Sequence, residues 1–229
     1  PSGSLRLASH VELHLEKGAL VKGSAKSGDY FDFPLEICSV TPENSRKVFV
    51  YAWDAEDVAI TGEGTIYGQG PEFFDRTEPT KGARFWGKPP HPRPRMVQFV
   101  RCRNVRLSGV TFKDAPGWAM LIRLCENVSV KGIAVDSDQR MINSDGIDFD
   151  GCRRVRVSDS RFKTGDDCLV LRAMREDDSK ERIVCEDVIV SNCTLNSACQ
   201  TIRMGCPSDD TIRNVVFKDI TAVGHNGIF

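Results

Sequence analysis

The chain has 229 residues, with 31 Lys or Arg against 32 Asp or Glu and a formal net charge of −1. That balance excludes a general nucleic-acid binder, which needs a basic surface, and no apolar run is long enough for a helix to cross a bilayer. The length suffices for a substantial core in a single elongated domain spanning 1–229. The opening Pro1-Ser2-Gly3-Ser4 and the closing Gly227-Ile228-Phe229 read as mid-domain sequence, so we expect truncation at both ends and no visible leader.

In chain order, six segments share a valine that follows polar or small residues: Ala55-Glu56-Asp57-Val58, Arg103-Asn104-Val105, Glu126-Asn127-Val128, Arg153-Arg154-Val155, Glu186-Asp187-Val188 and Arg213-Asn214-Val215. Their valines are spaced by 47, 23, 27, 33 and 27 residues, and the first interval leaves room for one further turn with an obscured signature. Each of the last five opens a short alternating strand, as in Val105-Arg106-Leu107 and Val128-Ser129-Val130. Period-two alternation recurring at this interval, without helical periodicity between, marks a solenoid of strands. A leucine-rich repeat is the competing solenoid, but its leucine-asparagine consensus is missing and the repeat length varies. The expected fold is all-β, a right-handed parallel β-helix whose coils bury their inward residues by stacking.

The segment 76–96 breaks the repeat with five prolines and a surplus of Lys and Arg. Prolines exclude a central strand, so a projecting basic loop is expected. Two readings stay open for it: attraction of an anionic polymer with Phe85-Trp86 stacking on a sugar, or a solvated loop whose aromatics fold back on the solenoid.

Cys102, Cys125, Cys152 and Cys185 each precede their repeat's valine by three residues and should form an interior column of packed thiols. Nine cysteines leave at least one free thiol, and no close CxxC spacing suggests zinc. Measured from that column, four strands should stack, beginning at Trp118, Asp145, Asp166 and Gln200. Met120, Ile147, Cys168 and Ile202 would then point inward with Ile122, Phe149, Val170 and Met204, leaving Asp148, Asp167 and Arg203 outward. Neighbouring coils lie about 4.7 to 4.9 Å apart, so Asp145, 21 and 22 residues before Asp166 and Asp167, should join both acids on one face.

The strings NSDGIDFDGC and TGDDCLVL resemble the paired motifs of the polygalacturonase family, glycoside hydrolase family 28. SLRLASHVELHLEKGALVKGS and RPRMVQFVRCRNVRLSGVTFKDAPGWAM resemble its opening strands and the segment leading to its tryptophan. The resemblance implies a β-helix that hydrolyses a pectic polysaccharide, of galacturonan or rhamnogalacturonan type, with inversion and without metal or organic cofactor. Carried over by position, it makes Asp166 the general acid, while Asp145 and Asp167 hold and deprotonate the attacking water. Such an enzyme places acid and base on opposite sides of the bond, with room for water between, and close like charges raise one proton affinity. Asp residues capping turns beside Gly146 and Gly165 are the plain alternative.

The sequence departs from the family twice. Cys199-Gln200-Thr201 stands where the family carries Gly-His-Gly, and Gln200 cannot titrate near neutrality. The family's Arg-x-Lys should follow Asn226-Gly227, where the chain has Ile228-Phe229. Candidate substrate-binding residues are Asn143, Asp148, Arg172, Gln200, Trp118 and Arg203, the last with a guanidinium suited to a carboxylate. The expected partner is an acidic polysaccharide or oligosaccharide met by a monomer in an extracellular or periplasmic setting. Two alternatives remain: a non-catalytic carbohydrate-binding β-helix, and a uronate lyase or epimerase on the same scaffold.

Overall fold

A computed structural model describes residues 1–40, 45–76, 84–87, 91–175 and 181–228. The local rule that bends the chain lies in the residue before each repeat valine. Asp57, Asn104, Asn127, Arg154, Asp187 and Asn214 all have φ between 54° and 57°. Asn and Asp tolerate this left-handed conformation best among residues with a side chain, which explains why five of the six are Asn or Asp. Their side chains also form a ladder: Asn104 Nδ2 donates to Asp57 Oδ1 at 2.9 Å, Asn127 Nδ2 to Asn104 Oδ1 at 3.1 Å, and Arg154 Nε to Asn127 Oδ1 at 2.6 Å.

Beyond each corner the alternation turns one row of side chains inward. Val105, Leu107, Val128, Val130, Val155, Val157, Val188 and Val190 are at most 1% exposed, whereas Arg106, Ser129 and Arg156 between them face solvent. Pairing is parallel and in register, Val105 to Val128, Val128 to Val155 and Val155 to Val188. A second interior row stacks Ile66, Phe112, Val135, Phe162 and Leu195. A third stacks Val50, Val97, Met120, Ile147, Leu169 and Ile202. These rows close one hydrophobic core, and the chain is a parallel β-helix.

Among the described residues, one sheet collects nine strands, including Lys47–Trp53, Arg95–Val100, Met120–Arg123, Ile147–Asp150, Leu169–Arg172 and Gln200–Met204. A twelve-stranded sheet forms the other walls, its rows joined by the long strands Val184–Ser197 and Thr211–Gly224. The cysteine column stands as expected: Cys102, Cys125, Cys152 and Cys185 are buried free thiols, and Cys102 N–H lies 3.3 Å from Cys125 Sγ.

Three expectations need correction. Val58 pairs directly with Val105, so the 47-residue interval is a single coil with a long excursion and holds no hidden turn. Inward Cys168 does not stack on Ile147; Leu169 does, because Gly146 N–H donates to Asp167 O and Ile147 N–H to Cys168 O. One extra residue before the strand thus moves the register, and Asp167, not Asp166, continues the line from Asp145. Consequently Val170 stands at the outward position between Asp148 and Arg203, while Met204, expected inside, is 44% exposed.

Residues 77–83 and 88–90 of the Pro-rich segment lie outside the described residues, and its last residues belong to the strand Arg95–Val100. Trp86 is buried, with Phe74 at 6.0 Å and the Arg140 guanidinium 4.5 Å over its ring. At this point the aromatic folds back on the coil.

Candidate active site

The acids sit where the nine-stranded sheet begins two successive coils, Asp145 before Ile147–Asp150 and Asp166 and Asp167 before Leu169–Arg172, and small residues set that geometry. A Cβ on Gly146 would meet Cys168 O at 2.2 Å, and one on Gly165 would meet Met141 O at 2.1 Å. Only glycine lets these turns nest. Ser144 ties them together: its hydroxyl donates to Met141 O at 2.8 Å and accepts Gly165 N–H at 3.0 Å. Ser144 and the glycines thus do much of the turn-forming that Asp145 and Asp166 were considered for, and Asp166 shares in it by accepting backbone N–H groups.

Asp166 is the half-buried member of the group. Its Oδ2 accepts Asn143 N–H at 3.2 Å, its Oδ1 accepts Asp167 N–H at 3.0 Å, and its carbonyl accepts the hydroxyls of Thr164 at 2.5 Å and Ser197 at 2.7 Å. Asn143 can offer that N–H because it takes φ 55°. Asp145 is 3% exposed and its Oδ1 has no hydrogen-bond partner. Burial, reinforced by Asp148, Asp166 and Asp167, pushes its proton affinity well up, with Arg172 opposing. Asp167, fully buried, accepts Gln200 N–H on Oδ1 at 3.1 Å and meets Arg203 Nη1 on Oδ2 at 2.8 Å. Its affinity is also raised, by burial and then by Asp166, against the pull of Arg203.

The substrate-binding candidates separate into two layers. Asn143 and Arg203 are half-buried, and Gln200 is 7% exposed. Beneath lie Asp148, Arg172 and Trp118. Arg172 meets Asp148 at 2.9 Å and lies 4.5 Å over the Trp118 ring, so one face of this substrate-binding candidate is covered by a guanidinium. Burial lifts Asp148 to about 7 despite Arg172. Arg203, expected to suit a substrate carboxylate, engages the Asp167 carboxylate.

Two further groups were not assigned from the sequence. Cys199 directs its thiol at Gln200 Oε1, 2.8 Å away, and burial, followed by Asp166 and Asp167, pushes that thiol up to about 12. It is a neutral donor beside the acids, and its Sγ lies within 4.8 Å of an oxygen of each. Its position in Cys199-Gln200-Thr201 was the available signal. Arg93, 6% exposed, reaches in from the Pro-rich segment and donates through Nη1 to Pro116 O at 2.9 Å and Ile142 O at 2.7 Å. Among five basic residues that surround it in sequence, nothing singled it out.

Set beside known proteins, this arrangement has a clear place. The family model of glycosyl hydrolases family 28 matches residues 18–228. The chain belongs to glycosyl hydrolase family 28. A probable polygalacturonase of Vitis vinifera is 27% identical over 182 residues, covering 75% of this chain and 35% of that protein. An exopolygalacturonase structure from Thermotoga maritima superposes with TM-score 0.72 at 27% identity, covering 95% of this chain and 55% of that one. A polygalacturonase structure from Erwinia carotovora gives TM-score 0.75 at 20% identity, over 99% and 60% of the two chains. The coil is thus the right-handed parallel β-helix expected from sequence, and the chain spans about a third of the length of the grape relative. Among the described residues no helix is long and apolar enough to cross a membrane.

Proposed function

We propose that this family 28 chain carries the catalytic acids of a hydrolase acting on a pectic, galacturonan-type polysaccharide. The observation that carries the reading is the stacking of Asp145 on Asp167, with Asp166 beside them as the more accessible acid. Asp166 donates a proton to the leaving glycosidic oxygen as the bond to the anomeric carbon breaks. Asp145, whose Oδ1 has no protein partner, shares with Asp167 the holding of a water and takes its proton as the oxygen attacks from the opposite side, which inverts the anomeric centre. Asn143, Gln200 and Arg203 border the sugar site, and Asp148, Arg172 and Trp118 support it from below. The chemistry uses no metal or organic cofactor. The protein acts as a monomer, in the extracellular or periplasmic space where such polymers are met.

Release of reducing ends from polygalacturonate tests this. An Asp166→Asn variant should lose roughly 100- to 10,000-fold in rate, the usual contribution of a positioned proton donor. Full activity in the variant would remove Asp166 from its role. Unsaturated, ultraviolet-absorbing products would assign the site to a lyase, and binding of the polymer without turnover would make the coil a carbohydrate-binding module.

A further inference from the structure

The basic Pro-rich segment sends Arg93 to the site from outside the stacked coils. Arg93 is 6% exposed and spreads its fork over two successive turns: Pro116 O belongs to the turn before Trp118, and Ile142 O and Asn143 Oδ1 (3.3 Å) to the turn before Asp145. Its guanidinium lies 5.1 Å over the Phe74 ring, and its own carbonyl accepts the Ser45 hydroxyl at 2.6 Å, so it is held from behind. The residue it grips, Asn143, is the one whose N–H binds Asp166 Oδ2.

We propose that Arg93 is a positioning residue for the acid group, fixing the Asn143 turn that orients Asp166 and supplying a permanent positive charge beside Asp145 and Asp166. This rests on the catalytic reading above. A planar fork with several donors suits three acceptors from two turns, and an ammonium does not. Burial brings Arg93 down to about 10, with Asp145 and Asp166 as the carboxylates that counter the fall; it remains a cation across the working range of any acid catalyst. The other charged or titratable groups around Asp145 are Asp148, Asp167 and Arg172 on the stacked strands, with Arg203 and Cys199 flanking Asp167 from the next coil. Arg172 pairs with Asp148 and also acts on Asp145, and Arg203 pairs with Asp167; among the described residues Arg93 adds to them a cation bonded to the Asn143 turn that holds Asp166.

The test compares Arg93→Gln and Arg93→Lys with wild type by carboxyl carbon-13 NMR titration of the aspartates and by the pH profile of kcat/KM on polygalacturonate. In Arg93→Gln, removal of the charge should move the Asp145 titration and the acidic limb of the profile up by roughly one pH unit. Arg93→Lys should keep both in place while kcat falls roughly tenfold or more through loss of the fork, with KM little changed. An Asp145 titration that does not move in Arg93→Gln overturns the charge assignment, and full kcat in Arg93→Lys overturns the positioning assignment. Should Arg93→Gln fail to fold, the NMR titration and kcat of Arg93→Lys decide: a shifted titration or an undiminished kcat counts against the proposal. The two readings fail separately. Activity in Asp166→Asn sinks the catalytic assignment while the Arg93 effect on Asp145 can still be measured, and an inactive Asp166→Asn beside an unmoved Arg93→Gln sinks only Arg93.

Discussion

On the outer face of the twelve-stranded sheet, Glu56 pairs with Arg103 at 3.1 Å, Glu126 with Arg154, and Glu186 with Arg213 at 2.7 Å. Each pair keeps at least one side chain more than half exposed. On the outer face of the nine-stranded sheet, Arg123 meets Asp150 with both side chains at 0% exposure, Arg172 meets Asp148 at 2.9 Å with 7% and 0%, and Arg203 meets Asp167 at 2.8 Å. Parallel stacking brings charges equally close on both faces. What differs is the cover: Phe33, Cys38 and Val40 lie over Tyr51, Val100, Trp118 and Leu121 at one end of the nine-stranded sheet. Solvent therefore screens the first set far more than the second, in which Arg203 keeps the most exposure, at 22%. Exposed pairs contribute little, whereas in the covered set the desolvation of each acid dominates its proton affinity.

Variants at the buried end should show the contrast most strongly. Asp150 accepts Met174 N–H at 2.9 Å besides its pairing with Arg123, so Asp150→Ala leaves a buried guanidinium without its carboxylate. The expected loss is roughly 3–5 kcal/mol in denaturant unfolding, and a loss below about 1 kcal/mol would place the two faces on an equal footing.

A pH effect of intermediate size should follow from Asp148. Its folded affinity, about 7, lies above the ordinary value of 3.8. A raised acid stabilises the fold fully below about pH 4 and loses that contribution as pH rises through about 7. Unfolding midpoints measured from pH 4 to 8 should show Asp148→Asn gaining on wild type across that window. A constant difference between the two proteins would mean that Asp148 titrates normally. At the exposed end, Arg213→Ala should change stability by less than about 1 kcal/mol and lose even that in high salt.

Much of the coil was legible in the sequence because its constraints are local and repeated. A left-handed corner selects Asn or Asp, the next residues alternate, and the buried positions take Val or Leu at a fixed offset from a cysteine. Those offsets brought Asp145, Asp148, Asp166 and Asp167 to one face, with Asp166 expected next in line after Asp145. The single-residue shift at Asp166-Asp167 was not legible, since it depends on which carbonyl Gly146 and Ile147 find on the neighbouring coil. The 47-residue interval was misread for a related reason: sequence distance does not distinguish a hidden coil from a loop, and only the pairing of Val58 with Val105 does so.

Residue order by itself determined the parallel coil, its family, the cysteine column and the identity of the clustered acids. The tertiary structure alone decided which acid reaches solvent, that Arg203 serves Asp167, that Arg172 covers Trp118, and that Arg93 joins the site across 50 residues from Asn143. The physical reason is range. Backbone corners and alternation are set within a few residues, but the electrostatics of a buried charge depend on whichever distant side chains share its low-dielectric surroundings.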